Sequence, residues 1–153
     1  MKKKKLNLIF SGQGEPNDDT AEMEICFYKK YLKNYNYKIF QAPRNEYPTY
    51  QNIMQSKLII GNVSTVLREA FSFEKKVLSC NFIKHPDIKF PSDGLCLLKN
   101  ANYEAFEKRV LDILSMSKEK YFKGLTKDKN IVMKSTVDTA SIIRNKFKKY
   151  AKI

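Results

Sequence analysis

Residues 57–70 read Lys-Leu-Ile-Ile-Gly-Asn-Val-Ser-Thr-Val-Leu-Arg-Glu-Ala, and this stretch decides the fold. Its apolar first part predicts a short buried strand, which runs into a Gly61-Asn62 turn and then into a helix opened by Ser64. Such a junction leaves backbone N–H groups and the positive end of a helix dipole at the edge of a sheet. A phosphate group binds well there. Ser caps helices of every kind, however, so an ordinary helix start fits as well.

The predicted helix has two unlike sides. One is a polar stripe at i, i+3, i+4 and i+7, made by Thr65, Arg68, Glu69 and Ser72. The other is apolar and consists of Val66, Leu67, Ala70, Phe71 and Phe73. The polar stripe leads away from the proposed anion site, but any half-buried helix carries one.

The bulk composition predicts one globular domain over residues 1–153. Hydrophobic residues make up 42% of the chain and aromatic residues 12%, which suits a packed core rather than disorder. No apolar run has the length of a membrane span. Lys2–Lys5 precede only the short apolar run Leu6–Phe10, too short for a signal peptide. We therefore expect a cytoplasmic location, with contact at the inner face of the membrane as a further option.

A net charge of +13, from 29 Lys and Arg against 16 Asp and Glu, permits anionic partners of several kinds. The excess is mostly Lys spread along the chain, and Lys, Asn, Ile and Tyr are abundant together, as in proteins from AT-rich genomes. No nucleic-acid-binding module is recognisable. The net charge is thus weak evidence for any one class of anionic partner, and no specific nucleic acid is expected.

Strand and helix signals alternate along the chain. Strands are predicted at Leu6–Phe10, Tyr37–Ala42, Lys57–Ile60, Lys76–Cys80 and Leu95–Leu98. Helices are predicted from Asp18-Asp19 through Tyr35, at Tyr50–Gln55, from Ser64, from Asn102, within Ser117–Leu125 and at Thr136–Lys152. This order predicts an α/β fold with a Rossmann-like, doubly wound parallel sheet and a C-terminal helix. Ligands would then lie beyond the carboxyl ends of the strands, near Ser11–Gly14 and Gly61–Thr65.

The other residues that could bind a metal or take part in catalysis give little indication of function. Cys26, Cys80 and Cys96 form no CxxC pair, and each lies in an apolar context, so we expect buried reduced thiols and no metal site. His85 precedes a proline, which favours a solvated loop, and Asp93-Gly94 reads as a turn. Neither GxGxxG nor a P-loop is present, which disfavours NAD and ATP. No catalytic residue can be assigned.

The run from Ser64 to Leu78 resembles the donor-binding segment of GT-B glycosyltransferases, especially bacterial surface-carbohydrate transferases with an SSTxxxEA segment. The resemblance implies that Ser64 and Thr65 contact the diphosphate of a nucleotide sugar and that Glu69 holds the ribose. Gly12, Gln13 and Gly14 resemble the first loop of the same domain, which also approaches the diphosphate. The sequence departs from the pattern at Glu74 and Lys76, which stand where it has Gly and Pro, and it lacks the other acidic residue of the common paired-Glu motif.

The resemblance covers roughly residues 6–115 and implies the C-terminal, donor-binding half of such an enzyme. A separate N-terminal acceptor domain or chain is then expected as a partner, and the donor is a substrate rather than a cofactor. The predicted site comprises Gly12, Gln13, Gly14, Arg44, Gly61, Asn62, Ser64, Thr65, Arg68 and Glu69. Two alternatives stay open, namely a non-catalytic Rossmann-like domain that binds a nucleotide or a protein, and a basic nucleic-acid-binding protein.

Overall fold

A computed structural model of the protein describes residues 6–12, 15–41, 48–62, 64–82, 90–99 and 102–126. In these ranges the chain has a mixed α/β fold with five helices and with parallel strands in two small sheets. The chain divides into two compact units, Met1–Ser56 and Lys57–Ile153. The single domain over residues 1–153 stays a prediction.

The first unit contains a parallel pair of strands and two helices. Its described elements are β1 (Asn7–Ser11), α1 (Asp19–Leu32), β2 (Asn36–Phe40) and α2 (Pro48–Gln55). Strands β1 and β2 pair in parallel over their whole length, from Asn7 opposite Asn36 to Ser11 opposite Phe40. Ala21 of α1 and Ile53 of α2 are the buried apolar residues described here.

Helix α1 begins within the predicted Asp18-Asp19 pair but ends earlier than predicted. Asp18 is the N-cap, and its carboxylate accepts from the N–H of Ala21 at 2.6 Å and from that of Glu15 at 2.9 Å. Asp19 lies in the first turn, where its negative charge stabilises the helix dipole. The helix ends at Leu32 instead of reaching Tyr35, whose N–H closes a turn onto the Leu32 carbonyl.

The second unit is built around a three-stranded parallel sheet. Its described elements are β3 (Ile59–Gly61), α3 (Thr65–Ser72), β4 (Val77–Asn81), β5 (Asp93–Gly94), β6 (Leu97–Lys99), α4 (Tyr103–Ser115), α5 (Lys118–Lys123) and β7 (Leu125–Thr126). The strand order is β3-β4-β6, all parallel. Central strand β4 is buried from Val77 to Cys80, as expected of a parallel strand covered on both faces.

Two elements of the second unit were not predicted. Asp93-Gly94 is not simply a turn, because it pairs antiparallel with Leu125–Thr126. The prediction of parallel strands alone is therefore wrong for β5 and β7, although it is confirmed for β1–β2 and β3-β4-β6. The described strands also form separate small sheets instead of the single sheet expected.

Helices α3, α4 and α5 supply the remaining core of the second unit. Its most deeply buried helical side chains are Leu67, Ala70, Val110, Ile113 and Tyr121. Tyr103, the first residue of α4, is exposed. The predicted burial of all three thiols is wrong for Cys26, which is exposed, and right for Cys80 and Cys96. The predicted helix Thr136–Lys152 and His85 lie outside the described residues.

Candidate functional site

The junction between β3 and α3 has the geometry that the sequence predicts. Ser64 has extended backbone angles, φ −140° and ψ 133°, and its hydroxyl oxygen accepts from the N–H of Val66 at 3.2 Å. Helix α3 then begins at Thr65. Ser64 and Thr65 are both exposed, so the amino-terminal end of the helix is open to solvent.

Two contacts fix this junction against the sheet. A Cβ added at Gly61 would lie 3.1 Å from Cδ1 of the buried Leu67, so glycine allows α3 to approach the end of β3 closely. The buried Ser79 hydroxyl of β4 donates to the carbonyl oxygen of Asn62 at 3.3 Å. The turn is thereby held against the middle of the central strand, where Gly61 pairs with Ser79.

The first turn of α3 carries no acidic residue. By contrast, α1, α4 and α5 each place Asp or Glu there, at Asp19 and Glu22, at Glu104 and at Glu119. A carboxylate in that turn stabilises the helix dipole but repels a bound anion. Helix α2 likewise has no acidic residue in its first turn, so on this criterion α2 and α3 suit an anion better than α1, α4 and α5 do.

Arg68 and Glu69 follow one turn further along α3. Arg68 is exposed and Glu69 is half-buried, and both have interactions within the chain. Glu69 is four residues from Thr65 and so lies on the same helix face, about one turn away. A ligand bound at the amino-terminal end of α3 and extending along this face would contact Thr65 first and Glu69 one turn later.

Sequence reasoning missed further polar residues at the same edge of the sheet. Asn81 ends β4 and is paired in register with Lys99, which ends β6. The ammonium of Lys99 lies 3.6 Å from the carboxylate of Asp93, and both side chains are well exposed. The sequence did contain a signal for these residues, because a polar residue directly follows the apolar run of each strand. Parallel α/β sheets bind ligands at this carboxyl end of their strands.

The remaining predicted site residues belong to the first unit. Gly12 follows β1, and its N–H donates to the Phe40 carbonyl at 2.9 Å. A Cβ added there would lie 2.5 Å from Oε2 of Glu24 on α1, so a side chain at this position would displace that carboxylate. Gln13, Gly14 and Arg44 lie outside the described residues. Gly61, Asn62, Ser64, Thr65, Arg68 and Glu69 come together in the second unit.

The buried titratable groups of the second unit have structural roles. Burial raises the pKa of the Cys80 thiol and that of the Cys96 thiol to about 11, which keeps both protonated and weakly nucleophilic at neutral pH. Burial likewise raises the pKa of Tyr121, although its hydrogen bond with the Val77 backbone opposes that shift. We assign no catalytic role to these groups.

The described residues lack two further features that would point to a function. In those ranges no cluster of three or more His, Cys, Asp or Glu side chains is placed to hold a metal ion. Nor do the described helices include one long and apolar enough to span a bilayer.

Comparisons with protein-family models, with curated proteins and with solved structures give no match to this chain.

Proposed function

We propose that this protein binds a nucleotide sugar at the start of α3 and takes part in glycosyl transfer for surface polysaccharide or glycan synthesis. The observation that carries the proposal is the Ser64 cap, which opens α3 directly beyond the carboxyl end of parallel strand β3. The diphosphate would lie against the helix end, and Glu69 would bind ribose hydroxyls one turn further along.

The choice of Ser as the cap supports an anionic ligand. A hydroxyl has one proton and two acceptor lone pairs, so Ser64 can accept from Val66 N–H and still donate to a phosphate oxygen. An Asp cap, such as Asp18 on α1, accepts equally well but carries a negative charge. Stabilisation of the leaving nucleoside diphosphate by these donors is the expected contribution to catalysis.

The backbone at Glu74 supports the resemblance to GT-B donor-binding domains. Glu74 has φ 56°, in the left-handed region that favours glycine, and glycine is the residue of the common pattern at this position. The N–H of Lys75 donates to the carbonyl of Ala70, and that of Glu74 to the carbonyl of Phe71, which together make a Schellman motif. Glu74 therefore differs from the glycine of the common pattern in its side chain, whereas its backbone has a conformation that glycine favours.

We further propose that the fold is Rossmann-like and doubly wound. Support comes from the parallel pairs β1–β2 and β3–β4, each with a helix between its two strands. A doubly wound sheet also requires a reversal in strand order, and neither described parallel sheet contains one.

Thermal unfolding with UDP, GDP, CDP and their sugars tests the binding proposal. A ligand at about 100 times its Kd stabilises the fold by about 2.7 kcal/mol and so raises the melting temperature by several degrees. Ser64→Ala combined with Glu69→Ala should abolish the shift.

The matched control is Ser117→Ala combined with Glu107→Ala. Ser117 caps α5 as Ser64 caps α3, with its hydroxyl accepting from Lys120 N–H at 3.2 Å. Both double variants lose one cap and one helical carboxylate, so only the α3 variant should lose the ligand response. A full ligand shift in the α3 variant, or no shift with any of the nucleotides, would refute the site.

A further inference from the structure

Helix α1 of the first unit carries a row of exposed apolar side chains. Met23, Phe27 and Tyr31 are 74%, 58% and 59% exposed. Their i, i+4, i+8 spacing places them along one side of the helix, and we call this row the α1 stripe. Exposed apolar residues scattered singly are ordinary, whereas a continuous row of three large side chains indicates an interaction surface.

The stripe is internally ordered. The rings of Phe27 and Tyr31 are 4.7 Å apart, and the ammonium of Lys30 lies 5.4 Å from the centre of the Tyr31 ring. These contacts hold the aromatic side chains before any partner arrives, which lowers the entropy lost on binding.

Charges of opposite sign occupy the two ends of the same helix. The amino-terminal end carries the exposed Asp19 and Glu22, and the carboxyl-terminal end carries the exposed Lys29, Lys30 and Lys33. Two such helices laid antiparallel, with Phe27 at the centre, bring each acidic end next to the basic end of the other. The helix dipoles are then also opposed, which is favourable.

We propose that a second copy of this chain docks on the α1 stripe, with the two α1 helices antiparallel about a two-fold axis near Phe27. A two-fold interface requires a self-complementary surface, and acid and base at opposite ends of an apolar row provide one. An anionic membrane fits less well, because Asp19, which lies one turn before Met23 on the same side of the helix, would face the lipid head groups. One helix of 14 residues is about 21 Å long, so the contact is small and the association weak.

Sedimentation of the full chain at about 0.15 M salt, at concentrations up to about 1 mM, tests the proposal. We expect a monomer–dimer equilibrium that Phe27→Glu weakens by at least about tenfold. The matched control is Met54→Glu on α2, which alters a residue that is 60% exposed outside the stripe and should leave the equilibrium unchanged.

A charge exchange tests the antiparallel arrangement. One variant carries Asp19→Lys and Glu22→Lys, and the other carries Lys30→Glu and Lys33→Glu. Each alone should remain monomeric, because like charges then meet at both ends of the pair. An equimolar mixture should dimerise, because opposite charges meet again. Recovery in the mixture also shows that both variants are folded.

Cys26 offers a probe that needs no substitution, since it is exposed and next to Phe27 in the sequence. A short bis-maleimide should link two copies through Cys26, and Cys26→Ser should abolish the product. Cys80 and Cys96 are buried and should not react in the folded protein.

The proposal is overturned by a monomer at every concentration, by a dimer that Phe27→Glu leaves intact, or by no recovery in the charge-exchanged mixture. It is also overturned by a monomer whose melting temperature falls in Phe27→Glu. The last result means that another part of the same chain covers the stripe. Co-sedimentation of a monomer with anionic vesicles, lost in Phe27→Glu, likewise overturns it in favour of a membrane.

Discussion

The hydroxyl of Tyr121 makes two hydrogen bonds with the backbone of one residue, Val77. It donates to the Val77 carbonyl at 2.6 Å and accepts from the Val77 N–H at 3.1 Å. Val77 is the first residue of central strand β4, and both side chains are fully buried. The phenol thereby satisfies two backbone groups that have no access to water.

Tyr121→Phe should therefore destabilise the fold by about 2 kcal/mol or more, because it leaves a buried N–H and a buried C=O without this partner. Urea denaturation followed by circular dichroism measures the change. Tyr103→Phe is the control, since Tyr103 is 67% exposed and its hydroxyl can bind water. Equal effects of the two substitutions would contradict the assigned role.

Lys76 stabilises the end of α4 from the strand side. Its ammonium donates to the carbonyl of Ile113 at 2.6 Å and to that of Met116 at 2.9 Å, at the negative end of the helix dipole. Lys76→Met keeps most of the side-chain volume and should cost about 2 kcal/mol in the free energy of unfolding.

The control for Lys76 is Lys108→Met, which removes only the exposed pair with Asp112 at 2.8 Å. Such surface pairs contribute about 0.5 kcal/mol or less. If Lys76→Met changes the urea midpoint no more than Lys108→Met does, the two hydrogen bonds do not stabilise α4.

Glu74→Gly should raise the melting temperature. Glu74 adopts φ 56°, which an L side chain adopts at a cost and glycine adopts freely. The loss of the exposed ion pair with Lys118, 2.6 Å long, offsets only a small part of this gain. Glu74→Ala is the control, because it removes the ion pair and retains Cβ, and it should not raise the melting temperature. Equal behaviour of the two variants would show that the backbone angle is not the cause.

Stability should fall as the pH rises from about 9 to about 11. Burial raises the pKa of Cys80 from 9.0 to about 11, so the unfolded state releases the thiol proton first and is favoured over that range. Two pKa units correspond to about 2.7 kcal/mol at most. The full contribution is present below pH 9 and is lost above pH 11.

Chemical denaturation of Cys80→Ala at pH 8 and pH 10.5 measures this contribution. Lysine titration affects every variant alike, so the informative quantity is the difference from the parent chain. Cys80→Ala should lose less stability than the parent over this interval. Cys26→Ala, at an exposed thiol, should behave as the parent does. An unchanged pH dependence in Cys80→Ala would contradict the burial argument.

The helix starts were predictable because capping is local. Ser64, Asn102 and Ser117 each accept from an N–H two or three residues ahead, so the signal lies within a few neighbouring residues. At α1 the sequence offered two adjacent acids. Asp18 caps instead of Asp19 because the preceding turn also brings the N–H of Glu15 to its carboxylate.

Strand ends were predicted less well, since pairing partners set them. The strand expected at Lys57–Ile60 is Ile59–Gly61, because only those residues pair with Val77–Ser79. The antiparallel pair of Asp93-Gly94 with Leu125–Thr126 joins residues far apart in sequence, and two-residue segments carry no readable periodicity. The strand-end residues Asn81 and Lys99 join the candidate site only through the parallel pairing of β4 with β6.

The sequence by itself determined the alternation of strands and helices and the Ser64 start of α3, because periodicity and capping act within a few residues. Only the tertiary structure decided which surfaces are covered. Cys26 and Phe27 lie in the same apolar run as the half-buried Ile25 and Tyr28, yet they are exposed. Burial depends on what packs against each side of a helix, and that comes from distant parts of the chain.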